Sequence, residues 1–171
     1  ENDDVAGLTI IGEAPANEII LRSGAKPGDL LCVTGACGKS FETEHHLNFQ
    51  PRCQEGRWLA KNNFAAAMID ISDGLLLDAS RICKHSNCGL KIFTEKIPLR
   101  NQNTSIKEAL HDGEDFELLF AVNESKIDQL LASWCFENTP LSVIGKFTEN
   151  KSIIDTNDQP LIPVGWDHLR N

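Results

Sequence analysis

No apolar run in this chain of 171 residues approaches the roughly 20 needed to cross a bilayer. The start, Glu1-Asn2-Asp3-Asp4, is acidic where a secretory signal peptide is basic. The expectation is a cytoplasmic protein with no membrane partner. Basic charge is also scarce: 16 Lys and Arg against 25 Asp and Glu leave a formal net charge of −9. Nucleic-acid binding rests on Lys and Arg meeting phosphates, so nucleic acid is set aside as a partner. Such acidity favours solubility, and it can also gather divalent cations that then hold an anionic substrate.

C-x-x-C spacing is missing as well. The six cysteines, Cys32, Cys37, Cys53, Cys83, Cys88 and Cys135, fall in no Cys/His array of the zinc kind, and several sit in apolar stretches such as Leu30-Leu31-Cys32-Val33. They read as reduced packing residues. The doublet His45-His46 with Cys53 is the nearest approach to a zinc set, but it lacks a second spaced pair. There is no G-x-S-x-G, no H-E-x-x-H, and neither a Walker-type nor a kinase glycine-rich loop. A complete nucleotide cradle of those kinds is therefore not encoded here.

What is present has the 41% hydrophobic and 24% charged composition of a globular chain about one domain long. Leu8–Ile11 and Ile19–Leu21 read as short strands, and Lys26-Pro27-Gly28-Asp29 as a turn leading into a strand over 30–34. Residues 36–52 are polar and irregular, and 54–62 suit a short helix. The apolar run 64–69 fits a buried strand. From Leu75 the period becomes helical: Leu75, Leu76, Ala79, Ile82 and Cys83 form a stripe, Asp78 and Arg81 fall outside it, and Gly89 is a natural stop. A strand over 90–93, a polar connection over 99–108 and a half-buried strand carrying Phe116, Leu118, Phe120 and Val122 follow. A helix capped by Asn123 or Ser125 and a strand over 141–147 complete the pattern. Strands and helices interleave without strict alternation, so the expected class is α+β, a mixed sheet with helices packed mainly on one face.

The segment Asp70-Ile71-Ser72-Asp73-Gly74 stands where the buried strand hands over to the helix. A helix N-terminus presents free N–H groups to phosphate, Gly74 admits a ligand close to the backbone, and Asp70 and Asp73 are hard oxygen ligands suited to Mg²⁺. A plain helix cap explains the same residues except for the extra aspartate, and the residues alone leave both open. Asp112-Gly113-Glu114-Asp115 places three carboxylates within four residues. They repel one another unless cations or a polar ligand compensate; a solvated turn is the alternative. Glu114 is the member placed to accept hydrogen bonds from an amine or hydroxyl. Arg22 beside Ser23-Gly24 can aim a guanidinium at a phosphate, and Trp166 can wall a heteroaromatic ring.

Ala67-Met68-Ile69-Asp70-Ile71-Ser72-Asp73-Gly74-Leu75 resembles the D-x-S-D-G-L signature of thiamine-monophosphate kinases, within the superfamily of aminoimidazole ribonucleotide synthetase. The segments Leu21 to Asp29, Val33-Thr34-Gly35, Ala109-Leu110 with Gly113 to Leu119, and Gly165-Trp166-Asp167-His168 resemble the same family in the same order. The resemblance implies a kinase that moves the γ-phosphoryl of ATP onto thiamine monophosphate, giving thiamine diphosphate. It implies Asp70 and Asp73 as ligands of Mg²⁺, with several ions in the site, Arg22 and Ser72 as ATP contacts, and Glu114 and Trp166 as the thiamine-binding pair. Residues 1–171 would be the single C-terminal domain of a two-domain kinase. The N-terminal nucleotide- and metal-binding domain is absent from this chain, the isolated fragment is expected to be inactive, and the full-length protein is expected to be a homodimer. Another superfamily member, selenophosphate or aminoimidazole ribonucleotide synthetase-like, is the alternative enzyme, and a non-catalytic binding or assembly module the alternative of another class. Asp112 stands where the family has a second glycine, a departure that bears on the path of the acidic loop.

Overall fold

The turn at Lys26–Asp29 is closed twice: the Asp29 N–H donates to the Lys26 carbonyl at 3.0 Å, and the Lys26 N–H to Asp29 Oδ2 at 2.8 Å. It launches β1 (Leu30–Thr34). In this computed structural model, which describes residues 8–165, α1 (His45–Asn48), α2 (Cys53–Lys61), β2 (Ala65–Asp70), α3 (Leu75–Ser86) and β3 (Gly89–Ile92) follow. After them come α4 (Ile106–His111), β4 (Leu118–Val122), α5 (Ile127–Ser133), β5 (Leu141–Thr148) and β6 (Ile153–Ile154). The strands form one six-stranded sheet in the order β2-β4-β1-β5-β3-β6, antiparallel except for the parallel pair β3–β6. The expected mixed α+β sheet is present.

Alternation along β1 and β4 divides the interior. Leu31, Val33, Leu119 and Ala121 point into a larger core with Leu75, Leu76, Ala79 and Ile82 of α3 and Ala109 and Leu110 of α4. Cys32, Phe120 and Val122 point the other way, into a smaller core with Leu59 of α2 and Leu130 of α5. The larger cluster and the longest helix thus lie on one face, and α2 and α5 cover the second. Trp58 closes that second layer by stacking on Phe64 and meeting Trp134 edge-on.

Several local expectations change. Among the described residues, 8–11 and 19–21 form no strand: Leu8, Ile10 and Ile11 are 88%, 83% and 93% exposed. The Leu21 carbonyl accepts one ladder-like bond, from the Met68 N–H at 2.9 Å. β4 is buried on both faces rather than one, because it lies between β1 and β2. Phe116 precedes β4 with φ of 52°. Asn87, not Gly89, ends α3: it takes the left-handed conformation, its N–H bonded to the Cys83 carbonyl, and Gly89 opens β3. The polar connection over 99–108 ends in a capping box that starts α4, where Ser105 Oγ accepts the Glu108 N–H and the Glu108 carboxylate accepts the Ser105 N–H. No helix among the described residues is long and apolar enough to cross a membrane.

Candidate functional site

β2 ends at Asp70, and the chain turns through Ile71–Gly74 into α3. Gly74 is the N-cap residue, with φ of 121°. A Cβ there would lie 2.9 Å from the His111 carbonyl oxygen, so the position requires glycine on both counts. Gly74 supplies no side-chain cap. Asp78, one turn on, does that work: its Oδ2 accepts the N–H groups of Ser72 and Asp73, each at 3.0 Å. Asp78 is completely buried, and its Oδ1 is held by Arg81, whose other Nη reaches Asp73 Oδ2 at 2.5 Å. Burial pushes the Asp78 carboxyl up; the bond from the Asp73 amide and the Arg81 charge pull the other way.

The acidic loop comes to this turn from the far side of the chain. The Glu114 N–H donates to the Ser72 carbonyl at 2.8 Å, and Ile71 exchanges backbone bonds with Phe116 and Glu117, each at 2.9 Å. A Cβ on Gly113 would stand 2.6 Å from the Ser72 oxygen, so only glycine lets the two strands of backbone meet. Gly165 closes the group, since a Cβ there would fall 2.1 Å from the Asp73 carbonyl oxygen. His111 Nδ1 ties the same tail by donating to the Val164 carbonyl at 2.8 Å. Trp166 lies outside the described residues.

The carboxylates of the loop are sorted by partner. Asp112 Oδ2 accepts the Lys39 N–H at 2.9 Å, and its extended backbone (φ −68°, ψ 139°) shows that a non-glycine fits the path there. Asp115 is buried, accepts the Gly38 N–H on both oxygens at 3.0 Å, and meets Arg100 at 2.7 Å. Glu117 receives Arg52 in a two-point bond, each leg 2.7 Å, and the Thr34 hydroxyl at 2.6 Å. The compensation is thus internal for three of the acids. Glu114 differs: it takes φ of 62°, and its Oε2 is buried without a hydrogen-bond partner among the described residues. A buried, unsatisfied carboxylate oxygen costs free energy unless a donor arrives.

On the other side of β2, Arg22 and Asp70 line one shallow cavity of about 510 Å³ with Ser23, Ile69 and His85. Ser86 Oγ sets this edge by accepting the N–H groups of Gly24 and Ala25 at 3.2 and 3.1 Å. The fold therefore groups Asp70 with Arg22, and Ser72 and Asp73 with Glu114. His45 and His46 are used otherwise. His45 Nε2 donates to the Asp115 carbonyl at 3.0 Å, and His46 Nδ1 to the Ser40 carbonyl at 3.2 Å while its ring stacks on Phe41. Asp78 and Arg81, outside the apolar stripe of α3, escaped the reading of the sequence; an acid in the first turn of a helix whose N-cap is glycine was the available signal.

Mg²⁺ is bound by one or two carboxylates, with phosphate oxygens and waters completing its shell. A single carboxylate is enough for such a partial donor set, so Asp70 and Asp73, at the two ends of one turn, can each serve although the fold gives them different neighbours. No group of three or more His, Cys, Asp or Glu suited to a metal occurs among the described residues.

Residues 26–156 match the family described as AIR synthase related protein, C-terminal domain. A thiamine-monophosphate kinase of Methanospirillum hungatei is 35% identical over 156 residues, covering 85% of this chain and 52% of that protein. The chain spans about half the length of the curated relatives it matches. Among solved structures, a thiamine-monophosphate kinase from Stenotrophomonas maltophilia superposes with a TM-score of 0.76 at 22% identity, over 86% of this chain and 56% of the other, a likeness of fold. AaThiL complexed with AMPPCP and TMP superposes with a TM-score of 0.73 at 27% identity, over 87% of this chain and 54% of that one.

Proposed function

The chain belongs to the AIR synthase related family, C-terminal domain, and from that premise we propose that it supplies one wall of an ATP-dependent thiamine-monophosphate kinase. The single observation that carries the reading is the buried Glu114 Oε2, without a hydrogen-bond partner among the described residues, beside the Ser72–Gly74 turn. It is an acceptor waiting for a donor beside a turn whose Ser72 and Asp73 amides are already held by Asp78, so what the turn offers a ligand is its side chains. The relatives that bear the kinase name and the structure with AMPPCP and TMP support the same assignment.

In this reading the γ-phosphoryl of ATP passes to a phosphate oxygen of thiamine monophosphate, leaving ADP and thiamine diphosphate. Such transfer asks for positioning and charge neutralisation more than for a protein nucleophile. Asp70 and Asp73 would hold Mg²⁺, several ions in the complete site, and bound Mg²⁺ would neutralise charge on the phosphates. Arg22 meets the ATP phosphates from the β2 edge, Ser72 contacts the nucleotide, Glu114 accepts a hydrogen bond from the thiamine amine, and Trp166 stacks on its ring. The opposite wall would come from an N-terminal domain; the chain spans about half the length of its kinase relatives. The complete protein is a cytoplasmic homodimer, and the isolated chain is inactive.

Joining this chain to the N-terminal half of such a kinase should give Mg²⁺-dependent thiamine diphosphate from ATP and thiamine monophosphate. Glu114→Gln should raise KM for thiamine monophosphate about tenfold, the loss of one charged hydrogen bond to a ligand amine. Asp70→Asn with Asp73→Asn should abolish turnover, and full activity in that double variant refutes the assigned roles.

A further inference from the structure

Arg81 lies one side chain away from two carboxylates with different duties. Asp78 is completely buried and spends Oδ2 on the amides of Ser72 and Asp73. Asp73 is one of the two carboxylates assigned to Mg²⁺. Arg81 bridges them, one Nη on Asp78 Oδ1 and the other on Asp73 Oδ2 at 2.5 Å. The Arg81 side chain is 33% exposed and that of Asp73 is 18% exposed, so the contact opens to water on one side, while Asp78 stays within the fold.

We propose that Asp78 is a positioning residue that fixes the backbone of the 70–74 turn, and that Arg81 is a built-in counter-cation on Asp73 which a divalent cation must displace. The inference rests on the metal reading given under Proposed function. The two bonds of Arg81 are unequal. The leg on Asp78 is shielded and anchors the guanidinium. The leg on Asp73 is partly exposed and exchangeable, since a small doubly charged ion can replace a guanidinium at a carboxylate that water reaches. Asp73 thus keeps its orientation and its charge compensation before metal arrives. The Ser72 and Asp73 N–H groups stay pinned to Asp78 whether or not metal is bound. Metal affinity then carries the cost of displacing one leg of Arg81. That cost also lets phosphate and metal enter together, because a guanidinium released from Asp73 is free to meet a phosphate oxygen.

Mn²⁺ binding to the full 171-residue chain, followed by electron paramagnetic resonance with Mn²⁺ alone as the probe, tests this. Arg81→Gln removes the competing cation, and Mn²⁺ should bind at least about fivefold more tightly, the low end of ordinary coupling between two ligands of one site. Asp78→Asn should weaken Mn²⁺ by roughly 10–100-fold, as loss of a group that orients a metal ligand does. A merely structural Arg81 would leave affinity unchanged or lower it. Arg81→Gln binding no more tightly than a wild type that does bind overturns this proposal alone. No Mn²⁺ bound by either protein, alone or with inorganic phosphate added to complete the shell, overturns the metal reading of the turn, and the displacement with it. Should Asp78→Asn fail to fold, hydrogen exchange in the wild-type chain decides its part: the Ser72 and Asp73 amides should be protected without metal, and fast exchange there overturns the positioning role.

Discussion

Asp115 has lost its solvent, and burial pushes its carboxyl up from 3.8 to about 6, against the downward pull of the Gly38 amide and Arg100. The sign of its effect on stability follows. A carboxyl whose folded pKa is raised contributes stability that is fully present below its unfolded value, near 3.8, and is lost as pH rises through about 6. Asp115 therefore adds a component to the urea midpoint that falls between those pH values, and Asp115→Asn should remove that component. Carboxyl NMR should place the Asp115 titration near 6 and move it further up in Arg100→Met, where a charge that favours ionisation is gone. A titration left in place by Arg100→Met would contradict the pairing. Such differences among neighbouring acids were not legible in the sequence. Asp112, Glu114 and Asp115 read as one dense patch, and what separates them, and Glu117 beyond them, are partners 15 to 83 residues away: Arg100, Gly38, Lys39, Arg52 and Thr34. Glu114 stood out as the acid to watch on chemical grounds, and it is the one whose Oε2 has no hydrogen-bond partner among the described residues.

Elements were legible where one periodicity dominates. The stripe Leu75, Leu76, Ala79, Ile82 and Cys83 marks the buried face of α3, and the turn at 26–29 marks the start of β1. Legibility ends where an element answers to a distant one. Asp78 departs from the stripe and is buried all the same, because its task is to cap the turn upstream rather than to pack. Thr34-Gly35 and Glu117 belong to a network that joins β1, α2 and β4. A Cβ on Gly35 would lie 2.0 Å from Glu117 Oε1, while Arg52, at the N-cap of α2, grips the same carboxylate and also reaches Thr139, which in turn bonds Glu55. These motif residues secure the packing of three elements rather than facing the candidate site. Arg52→Met would leave Glu117, a side chain 2% exposed, as an uncompensated buried charge. The expected loss is about 3–5 kcal/mol of unfolding free energy by urea denaturation. Arg52→Met combined with Glu117→Gln should recover most of it, since the stranded charge is then gone.

The whole molecule keeps its thiols in two classes. Cys53 and Cys135 are exposed; Cys32, Cys37, Cys83 and Cys88 are buried, and all six are free. Burial pushes the Cys32 and Cys83 thiols up to about 12 and raises Cys37 and Cys88 as well. Thiolate is the reacting species, so the buried four are protected both by exclusion of reagent and by suppressed ionisation. Their positions sample the entire fold: Cys32 points into the core under α2 and α5, while Cys37, Cys83 and Cys88 belong to the core under α3 and α4. If the two layers, sharing β1 and β4 as a common wall, open as one cooperative unit, the four should become reactive together. An aromatic disulfide reagent at mild pH should therefore modify two thiols at once and the remaining four slowly, at one common rate that rises with urea as the global unfolding constant does. Separate rates for Cys32 and Cys83 would show instead that the smaller core under α2 and α5 opens without the larger, which would place the Arg52 network outside the cooperative unit that holds the candidate site.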